Sequence, residues 1–177
     1  VPGPFGPTIQ AAINNAVPTD VILVAPGGVY NENIVITTPG ITLQSAVAGG
    51  ATIAGSGGTV VSVQADGFTI DGFIITNPNG SNALTMDGFN QLTVINNMIL
   101  AIGNNLLSGN THAVAVSSNA ASVNSVVILG NSFFDIHGGE SLPAIYNGTA
   151  SAIGVGWSNS NNPVNGLIIQ GNVIQGV

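Results

Sequence analysis

The chain has 177 residues, no Lys or Arg, seven acidic residues, two His and no Cys, for a formal net charge of −7. Only 4% of its residues are charged, where ordinary globular proteins carry roughly 25%. With no basic side chain to pair, cohesion must come from apolar burial and backbone hydrogen bonds, and nucleic acid and anionic membranes make poor partners.

The absence of Cys removes disulfides and thiolate metal sites. No apolar run approaches 18 residues, so no membrane span is expected. The length suits one domain with a sizeable core. A start at Val1 rather than Met reads as a processed protein or a fragment.

Residues 1–7, VPGPFGP, read as an extended Pro/Gly segment, and residues 8–177 as one domain. Thr8 is a good helix N-cap. Ile9, Ala12, Ile13 and Ala16 follow at helical spacing, and Pro18 stops the run. A short amphipathic helix of this kind is a natural lid for an open apolar end. Residues 21–25 form a β-branched strand closed by Pro26-Gly27-Gly28. Residues 29–36 and 41–43 continue as strands around a turn at Pro39-Gly40. Residues 47–63 are rich in Gly, Ala and Ser, which suits tight corners.

A repeat then dominates the chain. Leu92, Val94, Asn97 and Ile99 recur as Val126, Ile128, Asn131 and Phe133, and again as Leu167, Ile169, Asn172 and Ile174. An earlier copy runs Phe68, Ile70, Phe73 and Ile75, with Phe73 in place of the Asn. The copies step by 24, 34 and 41 residues, as stacked coils do when each carries a loop of its own length. A second strand keeps phase before each copy: Val61 and Val63, Leu84 and Met86, Val114 and Val116, Ile153 and Val155. The pattern predicts an all-β, parallel β-helix of about six coils, roughly 30 Å long at about 4.8 Å per rung. Asn97, Asn131 and Asn172 fall at equivalent corners, where Asn tolerates left-handed angles and stacked amides can bond along the rod. Long loops are expected at residues 103–111, 136–150 and 158–164, clustered along one side. The last strand region, residues 167–177, shows no cap.

Thr8, Ile9, Gln10, Ala12, Ile13, Gly28, Tyr30, Glu32 and Ile34 lie in a stretch that resembles the N-terminal region of pectin methylesterases and other pectate-lyase-like right-handed parallel β-helices. The resemblance covers about a sixth of the chain. It implies the right-handed fold, in line with the usual crossover preference of parallel strands. It does not carry the family's catalytic residues with it. Where the esterases have their first catalytic Asp this chain offers Asn104, and Asp135 falls near the second out of register. No Arg is present for either the esterase or the pectate-lyase mechanism.

Three groups of residues remain as candidate sites. Asp66 and Asp87, each in an Asp-Gly-Phe triplet 21 residues apart, would stack at one corner with Asp71 nearby. They read either as a Ca²⁺ site or as solvated turn residues. Asp135, His137 and Glu140 share a Gly-rich loop and read either as acid/base catalysts or as a polar loop. His112 opens a strand and is expected to bond locally. Trp157, with Tyr30 and Tyr146, is a candidate sugar-stacking platform, although Tyr30 sits at a packing position. Asn79 and Asn147 head glycosylation triplets.

The sequence therefore points first to a non-catalytic structural or adhesive protein of an extracellular surface, such as a fibre, a cell or spore coat, or a rod. Such a protein would self-associate through its ends or faces as a homo-oligomer or fibre. The alternatives are a polysaccharide-acting β-helix enzyme of the pectinesterase or lyase kind, and a non-catalytic carbohydrate-binding module.

Overall fold

The computed structural model describes residues 7–104, 109–138, 149–155 and 162–177. The chain winds through successive coils that add their strands in turn to three parallel sheets. The first coil holds β1 (Val21–Val24), β2 (Val29–Asn31) and β3 (Ile34–Ile36). The second holds β4 (Thr42–Ser45), β5 (Thr52–Ala54) and β6 (Thr59–Val63), and the third β7 (Thr69–Asp71), β8 (Ile74–Asn77) and β9 (Asn82–Asp87). The fourth holds β10 (Leu92–Ile95), β11 (Met98–Ile102) and β12 (Thr111–Ser117). The fifth holds β13 (Val123–Leu129), β14 (Ser132–Ile136) and β15 (Ala150–Val155), and the sixth β16 (Val164–Gln170) and β17 (Val173–Gln175). The first sheet is β1-β4-β7-β10-β13-β16, the second β2-β5-β8-β11-β14-β17 and the third β3-β6-β9-β12-β15. The protein is a parallel β-helix.

Register explains the repeat. Ile22, Leu43, Ile70, Val94, Ile128 and Ile169 form one vertical stack through the first sheet. Tyr30, Ile53, Ile75, Ile99, Phe133 and Ile174 form another through the second. Each inward side chain lands on its counterpart one rung away, so apolar burial propagates along the axis. Leu43, Ile70, Val94 and Ile128 are fully buried. At roughly 1.5–3 kcal/mol each, such stacks supply the main cohesion of a chain without Lys or Arg.

The N-terminal end is closed by α1 (Ile9–Asn15), whose Thr8 side chain accepts from the Ala11 N–H at 3.0 Å. Ile9 and Ile13 are fully buried over the first coil. Glu32, at the end of β2, accepts from the backbone N–H groups of Ile9 and Gln10 at 2.8 and 3.0 Å. A carboxylate is favoured there by the unpaired N–H groups and positive end of the helix. The Gln10 amide bonds both the N–H and the C=O of Val35, acting as a neighbouring strand for β3. These contacts join residues within the stretch that carries the family resemblance.

Leu167, Ile169 and Ile174 are 39, 46 and 54% exposed, whereas Val126, Ile128 and Phe133, one rung below, are fully buried.

The corner Asn residues form a buried ladder. Asn97 Oδ1 accepts from the Phe73 N–H, Asn131 Oδ1 from the Asn97 N–H and Asn172 Oδ1 from the Asn131 N–H, each at 2.9 Å. Left-handed angles fall one residue earlier than the sequence suggested, at Gly72, Asn96, Gly130 and Gly171, with φ of 77, 56, 64 and 64°. The corner thus divides two tasks between two residues. One turns the backbone, and the next turns its amide inward to bind the rungs on either side. The loops also depart from expectation. The β11–β12 and β14–β15 connections both join the second sheet to the third, but the β15–β16 connection leaves from the next corner.

Candidate functional site

A shallow groove of about 470 Å³ lies on the outer face of the third sheet. Its floor follows from strand alternation. Val63, Met86 and Val116 point inward, so the residues beside them point out: Ser62, Thr85 and Ala115 in one row, Gln64, Asp87 and Ser117 in the next. Phe89 lies on one side, partly buried against the core. Asp87 is the sole charged residue of this lining, and its Oδ1 accepts from the Ala120 N–H at 3.1 Å. Hydroxyls, an amide, one carboxylate and an aromatic ring can hydrogen-bond and stack on a neutral sugar. The groove offers no cation to an anionic one. Apart from Asp87, which it read as part of a different site, sequence reasoning missed these residues because small polar side chains on the outer face carry no pattern beyond alternation.

The expected carboxylate stack does not form. Asp66 sits at the corner before β7, and its rung neighbour is Asn90, whose N–H it accepts at 2.8 Å. The coil repeat here is 24 residues, so a spacing of 21 puts Asp87 three positions short, beside Ser117 at the end of β9. The corner instead carries a second ladder on the outside. Asn90 Oδ1 accepts from the Asn124 N–H, and Asn124 Oδ1 from the Asn165 amide. Asp71 lies on the first sheet and accepts from the Gln44 and Asn96 amides at 2.9 and 3.1 Å. Among the described residues, no three His, Asp or Glu side chains come together as a metal-binding group.

Asp135 and His137 do meet. His137 Nε2 lies 2.7 Å from Asp135 Oδ1, an ion pair when the imidazole is protonated. This pair is the exception to the expectation of no side-chain salt bridge. The Asn104 amide donates to Asp135 Oδ2 at 2.6 Å. The hydrogen bonds from His137 and Asn104 hold the Asp135 carboxyl below the usual carboxylate range. Asp135 has φ 58°, stacked between Ala101 at 52° and Gly176 at 70°. A carboxylate stabilised in its ionised form is a weaker base, and this one lies in the open.

His112 is buried in β12, with Nδ1 2.5 Å from Ser151 Oγ, and burial pushes its pKa down. It bonds within the fold, as its place at the strand start suggested. Tyr30 packs against the core. Asn79 is exposed on the turn between β8 and β9. Glu140, Tyr146, Asn147 and Trp157 lie outside the described residues.

No protein-family model matches the chain. No curated protein matches it either. Among solved structures it is similar to a PL6-family alginate lyase, with a TM-score of 0.58 and 14% identity over 94% of this chain. The chain spans 27% of that enzyme's length. At this identity the likeness bears on the fold, a parallel β-helix, and not on chemistry.

Proposed function

We propose that this chain is a non-catalytic structural or adhesive protein of an extracellular surface, such as a fibre, a coat or a rod, which self-associates through its ends or faces. One observation carries the reading. Outward-facing apolar side chains stand exposed on all three sheets, Val21 and Leu23 on the first, Val29 and Met98 on the second and Val35 on the third, on a chain of which only 4% is charged. Kinship with pectate-lyase-like β-helices belongs to the same proposal, and the Glu32 lock on α1 supports it. Light scattering on the purified chain tests the reading: oligomers or rods are expected, and a monodisperse monomer at several mg/mL overturns it.

The second reading, a polysaccharide-acting or polysaccharide-binding β-helix, is favoured by the groove on the third sheet and by the alginate-lyase neighbour. Against turnover of a uronate polymer stands the lack of Lys and Arg to neutralise its carboxylates. Asp135 and His137 are the acid/base pair such an enzyme would have to use. Incubation with alginate and pectin separates the readings. Unsaturated uronate or methanol, lost in Asp135→Asn, favours the enzyme; retention on a neutral-glycan column without product favours the binding module.

A further inference from the structure

We infer that the groove on the third sheet takes a linear oligosaccharide that carries free amino groups. The inference rests on the polysaccharide-binding reading above and adds the charge of the ligand.

The floor of the groove belongs to a longer row. Val35, Ser62, Thr85, Ala115 and Gly154 follow one another up the outer face, one residue per rung. Four steps of about 4.8 Å give roughly 19 Å along the rod, room for several sugar rings end to end. Side chains shrink from Thr85 to Ala115 to Gly154, so the floor drops along the row.

Beside this row stands one charge, and its position is fixed. Asp87 Oδ1 accepts from the Ala120 N–H at 3.1 Å. Gly88, at φ 75°, lets the chain at Ala120 close on this corner, since a Cβ on Gly88 would lie 2.8 Å from the Ala120 Cβ. The second oxygen of Asp87 remains for a ligand. The rung neighbours of Asp87 are Gln64 and Ser117, both neutral, and the chain has no Lys or Arg to bring to it. His112, the histidine of β12, is bonded to Ser151 instead. Phe89, two residues beyond Asp87, packs against the core and lines the same groove.

A ligand lying here covers Asp87 and displaces its water. A neutral sugar would leave the carboxylate without a counter-charge, which costs free energy. An anionic sugar would add repulsion, on a chain whose net charge is −7. An ammonium group supplies the missing charge at Asp87 and is attracted to an aromatic face such as that of Phe89. Ser62, Gln64 and Thr85 are placed to meet the sugar hydroxyls. The field of the whole chain draws a cationic ligand toward the rod, and the groove gives it one place to settle.

A glucosamine tetramer and its N-acetylated counterpart share length and linkage and differ in charge. Isothermal titration calorimetry at about pH 6 is expected to show the glucosamine tetramer binding at least about fivefold more tightly. Asp87→Asn keeps an acceptor for the Ala120 N–H and is expected to abolish the difference. Asp71→Asn removes the same charge from the first sheet and is expected to keep it. Ala115→Phe raises the floor from an outward position and is expected to block both ligands, with the far-UV spectrum of the parent. Equal binding of the two tetramers, or preference for the acetylated one, would overturn the amino-sugar inference and leave the binding reading standing. A loss in Asp71→Asn as large as in Asp87→Asn would place the attraction in the net charge and overturn the site. No binding of either tetramer, nor of a glucose tetramer, would overturn the inference and the binding reading together.

Discussion

Asn131→Ala tests whether the buried amide ladder holds the coils together. Asn131 is fully buried. Its Oδ1 accepts from the Asn97 N–H at 2.9 Å, and its Nδ2 donates to the Val94 C=O at 2.9 Å. Asn97 Nδ2 also reaches it, but keeps the Ile70 and Ile95 carbonyls when Asn131 is gone. The substitution therefore strands one buried donor, the Asn97 N–H, and takes one bond each from the Val94 and Leu129 carbonyls. At about 1–3 kcal/mol for the stranded donor and about 0.5–1.5 kcal/mol for the carbonyl bonds, the loss is about 1.5–4.5 kcal/mol, a large part of a typical stability of about 5–15 kcal/mol. Asn172 makes the same bonds in the last, half-open rung, where water can replace them, so Asn172→Ala should cost no more than about 1.5 kcal/mol. Urea titration followed by far-UV circular dichroism measures both. The reasoning fails if Asn131→Ala lies within about 1 kcal/mol of the parent, or if the two variants lose equally.

Three other expectations follow from the same contacts. Glu32→Gln removes the charge at the start of α1 and should cost about 0.5–2 kcal/mol, with faster amide exchange confined to residues 9–15; unchanged exchange there would refute the helix lock. His112 has its folded pKa lowered by burial, so the unfolded chain takes up its proton first. The stabilisation is complete above the unfolded value of about 6.5 and is lost as pH falls below it. The parent should therefore weaken more than His112→Gln between pH 7.5 and 5.5 in urea midpoints. In NMR titrations the Asp135 carboxyl should titrate below the ordinary Asp range, and Asn104→Ala or His137→Gln should move it up.

The architecture was legible because stacking repeats the same requirement at every rung. Ile70, Val94, Ile128 and Ile169 had to be apolar in phase, and Leu84 and Met86 had to keep step with Val114 and Val116. The lid was legible from the spacing of Ile9, Ala12 and Ile13. What locks the lid was not, because Gln10 and Glu32 act across more than twenty residues of chain. The left-handed corner was placed one residue late, at Asn97 instead of Asn96, for a local reason: sequence shows that a corner needs Asn or Gly, but not which residue turns the backbone and which turns inward. The Asp66–Asp87 stack failed on a count of three residues, since a triplet repeat need not share the period of the coil. The groove left no trace beyond Ser62, Thr85 and Ala115 alternating with the core.

The near absence of charge follows from the same stacking. In a parallel β-helix each outward side chain has its counterparts about 4.8 Å above and below, so a repeated charge would repel along the whole rod. Two like charges at that distance cost about 1 kcal/mol even in bulk water. The described carboxylates are accordingly placed between neutral neighbours: Asp71 between Gln44 and Ile95, Asp66 beside Asn90, Asp87 beside Ser117. Amides serve this stacking well, because each can donate to one rung and accept from the next. Asn90→Asp would break the rule at one point. It keeps the acceptor for the Asn124 N–H but sets a second carboxylate over Asp66. A loss of about 1 kcal/mol is expected in low salt, shrinking as salt screens the pair. Millimolar Ca²⁺, able to bridge two stacked carboxylates, should restore the variant by more than it stabilises the parent. A variant as stable as the parent in low salt, or one on which salt and Ca²⁺ have no effect, would show that like charges are tolerated on this rod and that its composition has another cause.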